Sequence, residues 1–298
     1  MKIDICIATY KRPALLEQLL ISLFEQQIDD SLSFQIIVVD NDKSGSAKHV
    51  IDKLIESTPV NIIYDIEPQQ NISMVRNKAV SYVTGDYLIF IDDDEYAEPN
   101  WIKQHFNTAK QYDADVVFGP VLSDYPEQTP DWIKKGQFFD RIRYKTGTDR
   151  PHGATNNTLV KVQCLKTMKE YFDPSFGLTG GGDTEFFWRM GQNGAKMIWC
   201  DSAIVSEAVL PNRMTLKWLT RRAYRGGQMF PRVFCRNMSF HKKFFWIIKR
   251  FLFLIVACLY LPVAACQGKH KWGLAMQKVY TCLGHLTGFT SFHYQEYK

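Results

Sequence analysis

The chain has 298 residues, 46% of them hydrophobic, and a formal net charge of +5. This is enough for one large α/β domain with an appendage, and nothing in the composition indicates disorder or internal repeats. The charge is divided unevenly, because residues 1–210 carry −9 and residues 211–298 carry +14. Seven scattered cysteines without a Cys-x-x-Cys pair argue against a disulfide framework and a zinc site. They favour the reducing cytoplasm, as does a sequence that begins with a strand pattern rather than a secretory leader.

Strand and helix patterns alternate in the first third of the chain. Short apolar runs cover residues 3–8, 34–39, 60–66 and 87–91, and helical spacing of apolar residues follows the first three. Such alternation predicts an α/β fold with a mostly parallel central sheet flanked by helices, a Rossmann-like nucleotide-binding half over about residues 1–122. No Gly-x-Gly-x-x-Gly follows the first strand, which argues against a dinucleotide ligand.

Four consecutive acids, from Asp92 to Glu95, directly follow the fourth apolar run. Ligands of open α/β sheets bind beyond the carboxyl ends of the strands, and carboxylates crowded there repel one another unless a cation lies among them. Oxygen ligands with an incomplete protein shell suit Mg²⁺ or Mn²⁺, whose remaining positions are filled by water and substrate phosphates. The cluster therefore predicts a metal and a diphosphate. The alternative is a solvated acidic turn that caps the next helix.

The remainder of the acidic part is less regular. Residues 115–122 and 154–162 have strand patterns, and residues 164–171 have a short helix pattern. Between them, residues 123–153 lack clear periodicity. A loop of that length inside a compact domain is more often functional than accidental. We therefore predict that it forms a wall or lid of an acceptor site, within an acceptor half over about residues 123–210.

A glycine-rich segment, residues 179–182, precedes Asp183 and Glu185. Three consecutive glycines let the backbone approach a ligand closely. Asp183 stands where a helix begins, which makes it a candidate catalytic carboxylate. A plain helix N-cap is the alternative role, and the two roles are compatible.

These motifs together resemble the family 2 glycosyltransferases, bacterial enzymes of the GT-A fold that transfer a sugar from a nucleotide-diphosphate donor with inversion at the anomeric carbon. The resemblance covers about residues 3–227 and depends on five stretches that occur in the family's order. They are Ile7-Ala8-Thr9-Tyr10-Lys11-Arg12, Val39-Asp40-Asn41, Asn71-Ile72-Ser73-Met74-Val75-Arg76-Asn77, Asp92-Asp93-Asp94 and Gly181-Gly182-Asp183-Thr184-Glu185. The resemblance implies a GT-A catalytic domain over residues 1–210, followed by a C-terminal helical extension that is basic and apolar.

The resemblance also implies roles for individual residues. Those expected to bind the donor nucleotide or its diphosphate are Thr9, Tyr10, Arg12, Asp40, Arg76, Asp92 and Asp93. The metal, Mn²⁺ or Mg²⁺, is expected on Asp94 and Asp92, with Glu207 as a further ligand in a loop where many members have a histidine. Asp183 matches the general base that removes the proton of the acceptor hydroxyl, and Glu185 is a second carboxylate and the alternative base.

The basic region, residues 211–298, combines Lys and Arg with apolar helical patterns. An apolar run over residues 251–266 follows several basic residues. Sixteen apolar residues are slightly too few to span a bilayer, so we predict a helix at the surface of an anionic membrane. A packed C-terminal helix or a homodimer contact is the alternative, and no motif indicates nucleic-acid binding. We expect a transferase on the inner face of the bacterial inner membrane, acting on a saccharide or lipid-linked acceptor of lipopolysaccharide, capsule or exopolysaccharide.

Two other functions stay open at this level. A nucleotidyltransferase also needs a nucleotide fold and acids, but its first loop is expected to be Gly-rich, and residues 9–13 contain no glycine. A membrane-surface scaffold that has lost catalysis is argued against by the intact acids at Asp92 to Asp94 and at Asp183.

Overall fold

The computed structural model describes residues 1–166, 168–290 and 293–295. Its centre is a seven-stranded sheet. The strands of this sheet are β1 (Lys2–Thr9), β2 (Ser33–Asp40), β3 (Asn61–Ile66), β4 (Tyr87–Asp92), β6 (Val116–Phe118), β8 (Thr158–Lys161) and β9 (Met197–Trp199). Their order is β3-β2-β1-β4-β8-β6-β9. A second sheet of three strands is formed by β5 (Glu95–Ala97), β10 (Val205–Ala208) and β7 (Val121–Asp124), in that order.

The first four strands run parallel to one another, and β8 is antiparallel to both of its neighbours. The prediction of a mostly parallel sheet is confirmed. The register pairs Thr9 with Asp40 and Ala8 with Asp92. The carboxyl ends of β2, β1 and β4 therefore meet at one edge of the sheet, where an open α/β fold binds its ligands.

Helices cover both faces of the sheet. The helices on one face bury apolar residues such as Leu16, Ile51 and Trp101, and those on the other face bury Val75 and Phe186. The first group is α1 (Pro13–Phe24), α2 (Lys48–Ile55) and α4 (Trp101–Tyr112), and the second is α3 (Ile72–Ser81) and α7 (Gly182–Gln192). Each helix carries its apolar residues on one side, which is the pattern that the sequence showed.

Three local predictions are wrong. The strand predicted over 115–122 is two strands in different sheets, because the chain turns at Gly119, where a Cβ would lie 2.4 Å from the Ala203 carbonyl oxygen. Within the segment predicted as a loop, Asp131–Gly136 forms the short helix α5. The helix predicted over 164–171 is instead α6 (Val162–Leu165), followed by a 3₁₀ turn at Pro174–Phe176.

Three long helices end the chain: α8 (Leu216–Phe234), α9 (Phe240–Cys266) and α10 (Lys269–Thr287). Helix α10 packs against both α8 and α9. Glycines allow the close crossing of α8 and α10, because a Cβ on Gly284 would lie 2.1 Å from the Tyr224 carbonyl oxygen. The C-terminal helical extension contacts the rest of the protein through α8 and also through α10, which packs on α5.

Helix α9 is longer than the sequence predicted. It has 27 residues, and a window of it has a mean hydropathy of 2.1 with none of that window buried in the protein. At 1.5 Å per residue the helix is about 40 Å long, against about 30 Å for the hydrocarbon core of a bilayer. The prediction that it is too short to cross is wrong for its length, and by length and composition alone it is a candidate membrane span. Ala264 is the one residue of α9 that is fully buried.

Candidate active site

The loop after β1 is joined to the acids after β4 by side-chain hydrogen bonds. The Thr9 hydroxyl donates to Asp93 Oδ2 over 2.7 Å, and Arg12 Nη1 lies 3.1 Å from Asp93 Oδ1 and 3.1 Å from Asp94 Oδ2. Pro13 occupies the first turn of α1, where its missing N–H is not needed. The helix start thus holds Arg12 beside the acids. Tyr10 stands at the open side of this loop, about a third exposed, with Lys11 Nζ 5.1 Å from its ring centre.

Asp92 is the acid that opens most to the cleft. Its side chain is 43% exposed, and its cation partner is Arg76 of α3, whose Nη2 lies 3.6 Å from Asp92 Oδ1. Desolvation by the surrounding protein raises the pKa of Asp92 to about 7, while Arg76 opposes the rise and Asp94 adds to it. Burial likewise raises the pKa of Asp93 to about 6 against the pull of Arg12. Without a further cation, the cluster therefore favours partial protonation.

Glu95 stabilises the acidic turn through hydrogen bonds of its buried carboxylate. It is buried, and its Oε2 accepts from the Asp92 backbone N–H over 3.0 Å while its Oε1 accepts from Asn156 Nδ2 over 3.3 Å. Burial raises the pKa of Glu95 well above its usual range, and Asp92 adds to the rise. We therefore assign Glu95 to the structure of the turn.

Glu207 lies at the same cluster but is engaged by arginines. Its Oε1 is 2.5 Å from Arg213 Nη1 and its Oε2 is 2.6 Å from Arg141 Nη2. Arg213 also reaches Asp94 Oδ2 over 3.0 Å. Both carboxylate oxygens of Glu207 already accept hydrogen bonds from arginines. Its role as a metal ligand stays a prediction, and this arrangement does not favour it.

The fold class implies a metal ion, and the protein offers only some of the ligands that such an ion needs. Among residues 1–166, 168–290 and 293–295, no group of three His, Cys, Asp or Glu side chains forms a complete metal site. Asp92 and Asp94 are the carboxylates that remain, and one or two carboxylates with water and substrate phosphates are the usual protein contribution for Mg²⁺. The donor set therefore fits an ion that arrives with a diphosphate.

Asp40 has a different environment from the acids after β4. It is fully buried, and its carboxylate accepts from the Asp42 and Ala47 backbone N–H groups over 2.9 and 2.8 Å and from the Tyr64 hydroxyl over 3.0 Å. These bonds fix the loop between β2 and α2. Direct contact of Asp40 with the base or ribose stays a prediction, and the geometry favours an effect on the nucleotide through this loop.

A network of side-chain amides joins the loops after β2 and β3 to the 3₁₀ turn at Pro174–Phe176. Asn41 Nδ2 donates to the carbonyls of Glu67 and Gln69, and Asn71 caps α3 by accepting from the Ser73 and Met74 N–H groups. Asn71 Nδ2 also donates to the Pro174 carbonyl over 3.0 Å. These amides hold α3, with Arg76, in a fixed place beside the acidic turn.

The two carboxylates of α7 have different surroundings. Asp183, in the first turn, is partly exposed; its Oδ1 accepts from the Thr184 N–H over 2.8 Å, and no ion pair involves it among the residues that the structure describes. Glu185 is buried and pairs with both Nε and Nη2 of Arg189, at 2.7 and 3.0 Å. Arg189 also donates to the Tyr171 carbonyl. Asp183 therefore remains a candidate for proton transfer. Glu185 is engaged in an ion pair that joins two turns of α7.

Helix α8 covers the glycine-rich segment. Gly181 has φ +94°, and a Cβ there would lie 2.2 Å from Met229 Cγ of α8. Arg232 Nη1 donates to the Thr179 hydroxyl over 2.7 Å. The basic region thus contributes contacts of Arg213 and α8 to the surroundings of the acids and the glycine-rich segment, and the domain boundary at residue 211 stays a prediction. Sequence reasoning missed this, although the opposite charges of the two parts were a signal for it.

Solved structures with a similar fold include a mannosyltransferase and a protein that binds a UDP-sugar. The mannosyltransferase PcManGT from Pyrobaculum calidifontis, in complex with GDP-Man and Mn²⁺, matches with a TM-score of 0.70 at 15% identity, covering 96% of this chain and 86% of that one. S. aureus TarS 1-349 in complex with UDP-GlcNAc matches with a TM-score of 0.57 at 14% identity, covering 96% and 91%. The fold is therefore of the GT-A class, as the sequence predicted.

The family follows from the sequence comparisons. The model described as Glycosyl transferase family 2 matches residues 4–171. The succinoglycan biosynthesis protein ExoM of Rhizobium meliloti (strain 1021) is 34% identical over 233 residues, 78% of this chain and 75% of that protein. The poly(ribitol-phosphate) beta-glucosyltransferase of Bacillus spizizenii is 26% identical over 122 residues, 41% and 19% of the two chains. The chain belongs to glycosyl transferase family 2.

Proposed function

We propose that this protein is an inverting, metal-dependent glycosyltransferase with Asp183 as its general base. The observation that carries the proposal is the difference between the two sets of carboxylates. The acids after β4 are paired with arginines in the way expected of a diphosphate and metal site, whereas Asp183 has no ion-pair partner in the described part of the chain. A base must be free to accept a proton, and an ion pair with arginine would oppose that.

The arginines around the acids suit a nucleotide diphosphate. Arg12, Arg76 and Arg213 come from three elements and all reach the carboxylates of the acidic turn. The guanidinium group is always charged and can donate two parallel hydrogen bonds to the oxygens of one phosphate. When donor and metal bind, we expect these arginines to exchange part of their contact with the acids for contact with the diphosphate.

The transfer then requires one proton movement by the protein. The acceptor hydroxyl oxygen forms a bond to the anomeric carbon, the bond from that carbon to the diphosphate breaks, and Asp183 takes the hydroxyl proton. A bound Mn²⁺ or Mg²⁺ supplies charge stabilisation for the leaving diphosphate. Attack from the face opposite the leaving group inverts the anomeric centre.

A UDP-sugar is the first candidate donor. Support comes from the structural relative TarS, which was solved with UDP and with UDP-GlcNAc, whereas PcManGT was solved with GDP-Man. For the pathway, support comes from ExoM, named for succinoglycan biosynthesis. We therefore place the protein in bacterial polysaccharide assembly, with a saccharide or lipid-linked acceptor and with α9 associating with the inner face of the inner membrane.

Calorimetric titration tests the proposal. The full chain is titrated with UDP, GDP, CDP and dTDP, each with Mn²⁺ and with EDTA. We expect tight binding of one nucleotide only in the presence of metal, and loss of that binding in Asp94→Ala. Absence of nucleotide binding in every condition would refute the enzyme function and favour the scaffold.

A further inference from the structure

The helices α9 and α10 enclose an apolar groove away from the acidic turn. Its volume is about 620 Å³, within the range of about 300–1,000 Å³ that is usual for small-molecule sites. Most of its lining surface is apolar, and its polar lining residues include Arg250, Gln277, Lys278, Thr281 and His285. The lining residues used below are Arg250, Phe253, Ala257 and His285.

Arg250 is a cation of this groove that has no ion-pair partner among the residues that the structure describes. Its guanidinium lies 4.8 Å from the Trp246 ring centre and 5.8 Å from those of Phe230 and Phe253, and its Nε is buried without a hydrogen-bond partner. No ion pair of Arg250 occurs among the described residues, and residues 211–295 contain no Asp or Glu. Burial of Nε without a hydrogen-bond partner is costly, so an anion from outside the chain that binds this guanidinium would stabilise it.

His285 gives independent support for a polar ligand group at the same place. It is 7% exposed, lines the groove, and its Nδ1 has no hydrogen-bond partner in the described structure. Burial, followed by the proximity of Arg250, lowers the pKa of His285 to about 4. The ring is therefore neutral at physiological pH and offers a hydrogen-bonding nitrogen beside the Arg250 charge.

We propose that this groove binds one molecule of a phosphate-bearing lipid, with the hydrocarbon chain between α9 and α10 and the phosphate on Arg250 beside His285. The occupant is a single-chain lipid phosphate because an apolar chain matches the walls and a phosphate matches the unpaired cation. The groove is also continuous with the exposed apolar surface of α9, which includes Phe251, Leu252 and Leu259. A lipid can therefore enter from a membrane.

The groove lies one helix away from the proposed base. Phe230 of α8 stacks on Trp246 at 5.9 Å and contacts Arg250, and its neighbour Met229 packs on Gly181, two residues before Asp183. If the function proposed above is correct, a lipid held here presents its head group toward the acceptor side of the site. The binding itself does not depend on that function.

Native mass spectrometry of the full chain in a non-ionic detergent tests the binding. The probe is farnesyl monophosphate, with farnesol and inorganic phosphate as comparison ligands. We expect one bound farnesyl monophosphate per chain and at least tenfold weaker binding of either comparison ligand. Arg250→Gln should lower the affinity for farnesyl monophosphate at least tenfold. Arg250→Lys should retain most of the binding because it keeps the charge.

Matched variants separate the groove from the general apolar and basic surface. Ala257→Trp fills the groove and should abolish binding, whereas Ala265→Trp adds the same bulk on the exposed side of α9 and should not. Lys242→Gln removes an exposed charge of the same helix and should leave binding unchanged. Equal binding in Ala257→Trp and Ala265→Trp, or equal binding of farnesol and its phosphate, would overturn the proposal. Nucleotide titration of the same samples reports on the donor site separately, so failure of one proposal is distinguished from failure of the other.

Discussion

Replacement of Asp183 by Asn is the sharpest test of the proposed chemistry. The amide oxygen can still accept the 2.8 Å hydrogen bond from the Thr184 N–H, and no ion pair of Asp183 is broken in the described structure, so we expect the fold and donor binding to be unchanged. The amide cannot take a proton. General-base catalysis contributes about 10²- to 10⁴-fold, so turnover should fall by that factor, equivalent to about 3–5 kcal/mol of activation free energy.

The assay measures the turnover of the donor and the affinity for the donor, and each value is compared between the wild type and the variant. A lower rate at unchanged nucleotide affinity and unchanged melting temperature supports the assignment of the base. Turnover within about threefold of the wild type would refute it. A matching loss of nucleotide affinity would also refute it, because that would place Asp183 in donor binding.

Three further predictions follow from the contacts at the site. Glu185→Gln breaks the ion pair with Arg189 and should lower the free energy of unfolding by about 1–3 kcal/mol. We expect a lower melting temperature, with turnover reduced far less than in Asp183→Asn. A loss of turnover without destabilisation would make Glu185 the base. Asp94→Ala should remove metal-dependent nucleotide binding, and calorimetry showing wild-type affinity with Mn²⁺ would contradict this. Because burial raises the pKa of Asp93 to about 6 from 3.8, the folded state holds more protons than the unfolded state between about pH 4 and 6, and the free energy of unfolding contributed by this group falls as pH rises through that window. In EDTA, Asp93→Asn should therefore flatten the fall of stability with pH, and identical pH profiles would show that Asp93 does not titrate in this range.

The periodic part of the chain was predictable from the sequence. Apolar runs followed by helical spacing specify strands and helices through burial alone, and the acids at the end of β4 identify the ligand edge of the sheet. The break at Gly119 was not predictable in the same way. It depends on a close approach to the Ala203 carbonyl, about eighty residues away in the chain, and local periodicity carries no information about such a contact.

The roles of the carboxylates were only partly predictable for a similar reason. Sequence reasoning named Asp183 as the expected general base and kept Glu185 as the alternative. The structure gives them different surroundings, because Arg189 lies one helical turn after Glu185 and on the same side of α7 and pairs with it. That spacing is visible in the sequence, and it favours Asp183 once an i, i+4 ion pair is considered.

The uneven charge of the chain has an explanation inside the protein. Arg213 belongs to the basic region, yet it contacts both Asp94 and Glu207 of the acidic part. In the function proposed above, this cluster of acids accepts a metal and a diphosphate and needs cations when both are absent. Arg213, in the turn before α8, supplies one of them. The positive charge that the sequence assigned to membrane contact is therefore divided between two uses. Its first residues complete the site through Arg213, and those of α9 and α10 lie at the exposed apolar surface.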